Sequence, residues 1–255
     1  MKKHIETTLK IIAAEQGIKL LYACESGSRA WGFPSPDSDW DVRFIYSHPL
    51  DWYLSLQSQK DTINKMLPLE LDLSGWELKK ALRLFAGSNL ALFEWVESPE
   101  VYFNDSDFHQ RLKALIPLYF NPCKAMHHYL AMARNNIETH LQSNEVQIKK
   151  FFYILRPLLA CEWIANFKTM PSTEFAQLLA HSTLLTSELR DQVNGLLKEK
   201  ENAAEGFIVT LSSNMVNWFA HQVSHFEDTV STQKGSLKVG WEPLNELVND
   251  FLKRE

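Results

Sequence analysis

The sequence predicts an α+β protein whose strands are confined to its first 120 residues and whose second half is helical. Three observations carry this. Strand-like runs occupy Ile18–Cys24, Asp39–Tyr46 and Leu67–Gly75, the last alternating apolar and acidic residues with a period of two. From Pro122 to about residue 228 every long segment repeats its apolar residues at helical spacing, and strand alternation disappears. Between the first two strand runs lies a glycine turn followed by a loop held irregular by Pro34 and Pro36. The expected division is therefore residues 1–120 and 121–255.

The chain has 255 residues, enough for one large core or two smaller ones. Its 45% hydrophobic and 22% charged content is that of a globular protein. A formal net charge of -5 excludes a global positive field that would draw in long nucleic acid. Cys24, Cys123 and Cys161 are too far apart for a zinc knuckle or a disulfide framework, and they suit a reducing compartment. No run approaches the ~18 apolar residues of a membrane span, and the N-terminus lacks a signal-peptide core. The expectation is a soluble cytoplasmic protein.

In chain order, Ile5, Leu9 and Ile12 mark a helix over residues 2–16, with Gly17 as its C-cap. A strand follows to Cys24, and a second carries Val42, Phe44 and Ile45, all favourable β residues. Residues 48–53 suggest a turn into a short helix, and the polar stretch 57–64 an exposed excursion. Helices are expected over 76–86, 89–96 and 105–118, with an extended piece near Val101-Tyr-Phe. In the second half they are expected over 127–141, 146–167, 173–181, 187–200, 205–226 and 244–252. Pro157 should kink or break the second of these, and residues 231–240 read as a polar loop.

The chemistry concentrates between Glu25 and Tyr46. Side chains two apart on a strand share a face, so Asp39 and Asp41 project together while Trp40 and Val42 face the core. Paired carboxylates repel unless a cation lies between them. Mg2+ or Mn2+ takes such oxygen ligands along with substrate phosphates, and two ions about 3.5–4 Å apart can align a hydroxyl with an α-phosphate. Gly27 allows close backbone approach to a phosphate, Ser28 offers a hydroxyl donor, and Arg29 a charge-assisted contact. A third carboxylate is expected from the acidic strand: Asp72 first, as metal ligand and candidate base, with Glu70 as the fallback on the same face. No Gly-Lys-Ser/Thr follows the glycine, so this is not a P-loop.

These residues resemble a known signature. Gly27-Ser-Arg-Ala-Trp-Gly32, with Asp39-Trp-Asp41 after it, is similar to the motif of the DNA polymerase β-like nucleotidyltransferase superfamily. The string from Glu25 to Tyr46 resembles in particular the YcgL-type predicted nucleotidyltransferases, some of them described as RNA-ligase-associated. Asp72-Leu-Ser-Gly-Trp-Glu-Leu-Lys-Lys-Ala-Leu and Phe152 to Ile164 look like the same group. The resemblance implies a nucleotidyltransferase core of mixed β-sheet flanked by helices, followed by an α-helical C-terminal domain. It implies Gly27 and Ser28 at a triphosphate, Asp39 and Asp41 at Mg2+, and Asp72 as the third carboxylate.

Arg43 shares the face of Asp39 and Asp41, and pairing with Asp41 outweighs a phosphate contact. Lys149, Tyr153 and Arg156 share a helix face; with Lys150 they form a surface that could grip a nucleotide, against the plainer reading of a solvated charged face. His127-His128 and His221/His225 lack the glutamate of a His-Glu-x-x-His zinc site. The function expected is metal-dependent transfer of an NMP, ATP being one possible donor, from an NTP to a hydroxyl with release of pyrophosphate. The acceptor is left open between a short RNA or tRNA end, a protein side chain and a small molecule. The alternative is a non-catalytic nucleotide-binding or antitoxin-like partner that keeps the fold.

Overall fold

The computed structural model describes all residues except 205, 232–238, 254 and 255. By contacts the chain forms two compact units. The first holds Met1–Ala30, Asp39–Tyr119 and the last helix; the second holds Trp31–Ser38 and the helices from Phe120 onward. Neither unit is one continuous stretch of chain.

The first unit is built on a mixed five-stranded sheet of order β3-β4-β2-β1-β5. Helix α1 (Lys2–Gln16) buries Ile5, Leu9 and Ile12 and ends at Gly17, whose left-handed φ of 58° lets its N–H reach Ala13 and Ala14. Strand β1 (Lys19–Ser26) is buried along almost its whole length, as its apolar run requires. After the single helical turn α2 (Ser28–Trp31) comes β2 (Trp40–Ser47), antiparallel to β1. Its inward residues Val42, Phe44 and Tyr46 join Ala23, Leu71 and Leu73 in a core that α1 covers.

The acidic strand is arranged differently from the sequence expectation. After α3 (Leu50–Leu54), the polar excursion contains an edge strand, β3 (Thr62–Leu67), and β4 begins only at Leu71 (Leu71–Glu77). Leu69 and Glu70 have φ of 67° and 52°, so they form the hairpin turn between the two strands. Alternation across Leu67–Gly75 was read as one strand because the left-handed turn interrupts it without breaking the period. Strand β4 pairs parallel with β2, Asp41 opposite Asp72 and Phe44 opposite Gly75. Helix α4 (Leu78–Ala86) starts where β4 stops, because the Glu77 carboxylate accepts bonds from the Lys79 and Lys80 N–H groups. Helix α5 (Leu90–Val96), capped by Asn89, β5 (Val101–Asn104), α6 (Ser106–Tyr119) and the final helix complete the unit.

In the second unit α7 (Pro122–His140) packs on α8 (Ile148–Phe167). Helix α8 continues through Pro157, where a kink or a break was expected, without a break; it is buried on most faces, and packing holds the helix despite the lost backbone bond. The helical half also contains two short strands, β6 (Glu145–Gln147) and β7 (Ile208–Thr210), paired antiparallel with Val146 opposite Val209. Three residues are too few for alternation to be legible in sequence. Helices α9 (Phe175–His181), α10 (Ser187–Asn202) and α11 (Ser213–Ser231) follow the expected order, α11 starting after β7. The buried Glu162 of α8 pins the link between α9 and α10, accepting from Ser182 Oγ at 2.6 Å, Thr183 N and Leu184 N. The final helix, α12, is Glu242–Leu252. The polar loop expected over 231–240 lies mostly outside the described residues, as does the start at 205 expected for α11.

Gly75 leaves no room for a side chain, since a Cβ there would overlap the Phe44 ring of the neighbouring strand. Gly75→Ala should destabilise the protein by about 1–3 kcal/mol through overpacking. Denaturant melts read this directly, and an unchanged midpoint would contradict the packing described.

Candidate active site

Strands β1, β2 and β4 lie side by side and bring the chemistry of the first unit to one edge. Ser26 is opposite Asp41 on the β1 side, and Asp72 is opposite Asp41 on the β4 side. The Arg43 guanidinium joins the two carboxylates, donating to Asp41 Oδ1 and Asp72 Oδ2 at 2.9 Å each. A second nitrogen of the same group donates to the Asp72 carbonyl at 3.1 Å. All three side chains are partly exposed, so a ligand can reach them.

The glycine-turn residues are close by. Gly27 has a φ of 76°, and a Cβ at this position would lie 2.5 Å from Asp41 Oδ2. Glycine is thus required both by the backbone conformation and by the nearness of the carboxylate. Ser28 is buried. Arg29 stacks 3.8 Å over the Trp40 ring and donates through Nε to the Asp39 carbonyl at 3.0 Å. Asp39 itself lies one residue before β2 and is exposed. Glu70, in the hairpin turn, does not share a strand face with Asp72.

The structure thus joins Asp41 and Asp72 and leaves Asp39 at the rim. Among the described residues no three His, Cys, Asp or Glu side chains converge as a ready-made metal cage. The donor set still fits a hard divalent cation of the Mg2+ kind, which takes one or two carboxylates and completes its shell with water and substrate phosphates. Two adjacent carboxylates beside a glycine that leaves room at Asp41 are such a set.

Behind this edge stands Glu25, the first residue of the sequence motif, which the sequence reading gives no role. Glu25, on β1, is 1% exposed. Its carboxylate accepts the Asp41 N–H at 2.8 Å and the Tyr102 hydroxyl, and its carbonyl accepts Ser98 Oγ at 2.7 Å. Burial pushes its pKa up to about 7, against the lowering effect of the Tyr102 and Asp41 hydrogen bonds. A lone charged residue closing an apolar strand, two places before the glycine, was the available signal.

In the second unit Lys150, Tyr153 and Arg156 lie on α8. Arg156 is 1% exposed and stacks 4.4 Å over Trp31. Tyr153 meets the edge of Trp31 at 5.1 Å, and the Lys150 and Lys149 ammonium groups lie 5.4 and 6.0 Å from the Tyr153 ring. The expected helix face is therefore a ladder of cations and aromatic rings, with Arg156 at its buried end.

The Glu25 environment makes stability depend on pH. Between the ordinary carboxyl value of 4.5 and about 7 the folded protein keeps a proton that the unfolded chain releases. The contribution is therefore full at low pH and is lost as the pH rises through about 7. It amounts to about 3 kcal/mol at most. Metal-free unfolding curves of wild type and Glu25→Gln should diverge over this window, the variant lacking that part of the slope; parallel profiles would rule the assignment out.

The family model described as RlaP, RNA repair pathway DNA polymerase beta family, matches residues 1–250. The uncharacterized protein YcgL of Bacillus subtilis (strain 168) is 45% identical over 205 residues, covering 80% of this chain and 78% of that one. A crystal structure of a nucleotidyltransferase-like protein from Exiguobacterium sibiricum 255-15 aligns with 98% of this chain and 80% of its own, at 11% identity and a TM-score of 0.30. With the family model spanning nearly its whole length and a relative at this identity, the chain belongs to the RlaP family, the RNA repair pathway DNA polymerase beta family.

Proposed function

We propose that this protein transfers a nucleoside monophosphate from an NTP to a hydroxyl acceptor and releases pyrophosphate. The observation that carries the reading is the register of β2 and β4, which sets Asp41 beside Asp72 with Arg43 between them. The family description supports the reaction class, and its mention of RNA repair makes an RNA end the favoured acceptor.

In the proposed reaction the acceptor oxygen attacks the α-phosphorus and the bond to the β-phosphate oxygen breaks. Gly27, Ser28 and Arg29 hold the triphosphate through backbone amides, a hydroxyl and a guanidinium. Asp72 takes the proton of the attacking hydroxyl. Arg43 keeps the two like-charged carboxylates together and supplies positive charge beside the developing negative charge. Asp41 and Asp72, with Asp39 at the rim, would hold Mg2+ or Mn2+, which supplies charge neutralisation at the phosphates. Residues 1–120 would form the nucleotidyltransferase domain and 121–255 the substrate-binding domain. There Lys150 and Tyr153 would contact nucleotide, and Arg156 would position Trp31.

Two measurements test this. Incubation with each labelled NTP and a panel of RNA, protein and small-molecule acceptors should show transfer that Asp41→Asn and Asp72→Asn each reduce by about 10³-fold or more, equivalent to ~4 kcal/mol of lost transition-state stabilisation. Thermal melts should show both variants folded, and undiminished turnover in either would sink the assignment. Calorimetric NTP binding should also strengthen at least ~10-fold on adding Mg2+. A metal-independent affinity would remove the cation from the proposal.

A further inference from the structure

The first unit carries a second feature, at the far end of β4 from Asp72. A groove of about 140 Å³ runs between α4 and α12. Lys79 and Arg83 of α4 form one wall, Trp241 and Asn245 the other, over a floor of leucine and valine side chains. Five residues of β4 separate Asp72 from the start of α4, six steps or roughly 20 Å at strand rise. The groove is therefore distinct from the Asp41–Asp72 edge.

Trp241 is 53% exposed, although a side chain of this size is normally covered. Neighbouring cations are neutralised, Lys80 by Asp61 and Arg111 by Asp250. Among the described residues Lys79 and Arg83 make no such pair, and Lys79 instead lies 4.9 Å over the Tyr53 ring. Among the described residues no carboxylate lines the groove, in a protein of net charge -5; Glu242 and Glu246 of α12 are not among its lining residues.

We propose that this groove docks single-stranded nucleic acid, a base stacking on Trp241 while Lys79 and Arg83 meet the flanking phosphates. An exposed aromatic face beside unpaired cations is what single strands use: every base has a face to stack, and each phosphate met releases counterions. The Asn245 amide adds one donor and one acceptor suited to a base edge. An acidic peptide would satisfy the two cations but would leave the indole face unused. Only the identification of the docked strand as an acceptor rests on the proposed nucleotidyl transfer; the binding itself does not.

The test is fluorescence anisotropy of a labelled single-stranded RNA of about 12 nucleotides, with the full chain and no NTP or metal. Trp241→Ala should weaken binding roughly 5- to 150-fold, and Trp241→Phe should recover most of it. The double variant Lys79→Glu/Arg83→Glu should bind at least ~10-fold more weakly. Replacing both cations should also lower the slope of log affinity against log salt by about 1.4, since each phosphate contact on a single strand contributes ~0.7. Melting curves check that each variant is folded. The anisotropy assay needs neither NTP nor metal, so a failed transfer assay and a failed docking assay are distinguishable. Unchanged affinity in the groove variants overturns the proposal. So does equal binding of a glutamate-rich peptide of matched charge, weakened equally by Trp241→Ala, because the occupant would then be a protein segment.

Discussion

The first unit depends on one constraint: β2 and β4 must pair in the parallel register that sets Asp41 opposite Asp72. Two carboxylates at neighbouring positions repel, and Arg43, two residues along from Asp41, answers that repulsion by donating to both. A slip of one residue would turn Asp72 to the other face and leave Arg43 with a single partner. The edge is therefore specified by electrostatics as well as by the apolar residues beneath it. Because all three groups are partly exposed, the triad's value lies more in register and poise than in stability.

The supporting layer behind that edge is buried and polar. Glu25 ties β1 to the Asp41 amide of β2 and to Tyr102 of β5, so three strands meet at one carboxyl. Burying such a group is costly unless its oxygens are bonded, and here each oxygen has a partner. The Glu25 N–H adds a bond to the Glu100 carbonyl, and Ser98 bonds the Glu25 carbonyl. The position of Asp41 is thus fixed from behind by Glu25, from one side by the close approach of Gly27, and from the other by Arg43.

The helical unit uses the same device with opposite charge. Arg156 is buried and rests on Trp31, while Glu162, one turn and a half further along α8, holds the link to α10. Lys200, also buried, donates to Ser35 Oγ at 2.7 Å. Trp31 and Ser35 both belong to the short segment after the glycine turn. That segment is thus held by an arginine on one helix and a lysine on another, which explains how a proline-rich stretch without regular structure keeps a defined place.

Much of this was legible locally. The run of apolar residues in β1, the helical spacing of Ile5, Leu9 and Ile12, and the shared face of Asp41 and Arg43 follow from backbone period alone. The glycine turn and the motif around it were enough to indicate the family. What sequence could not supply was whatever depends on partners far along the chain. The pairing of Asp41 with Asp72, the burial of Glu25 against Tyr102 and the enclosure of Arg156 by Trp31 join residues 31, 77 and 125 positions apart. The hairpin turn at Leu69 and Glu70 was hidden for another reason: two left-handed residues reverse the chain while leaving its alternation of apolar and acidic side chains unbroken. Periodicity determines which face a side chain takes within an element; only the tertiary pairing decides what that face meets.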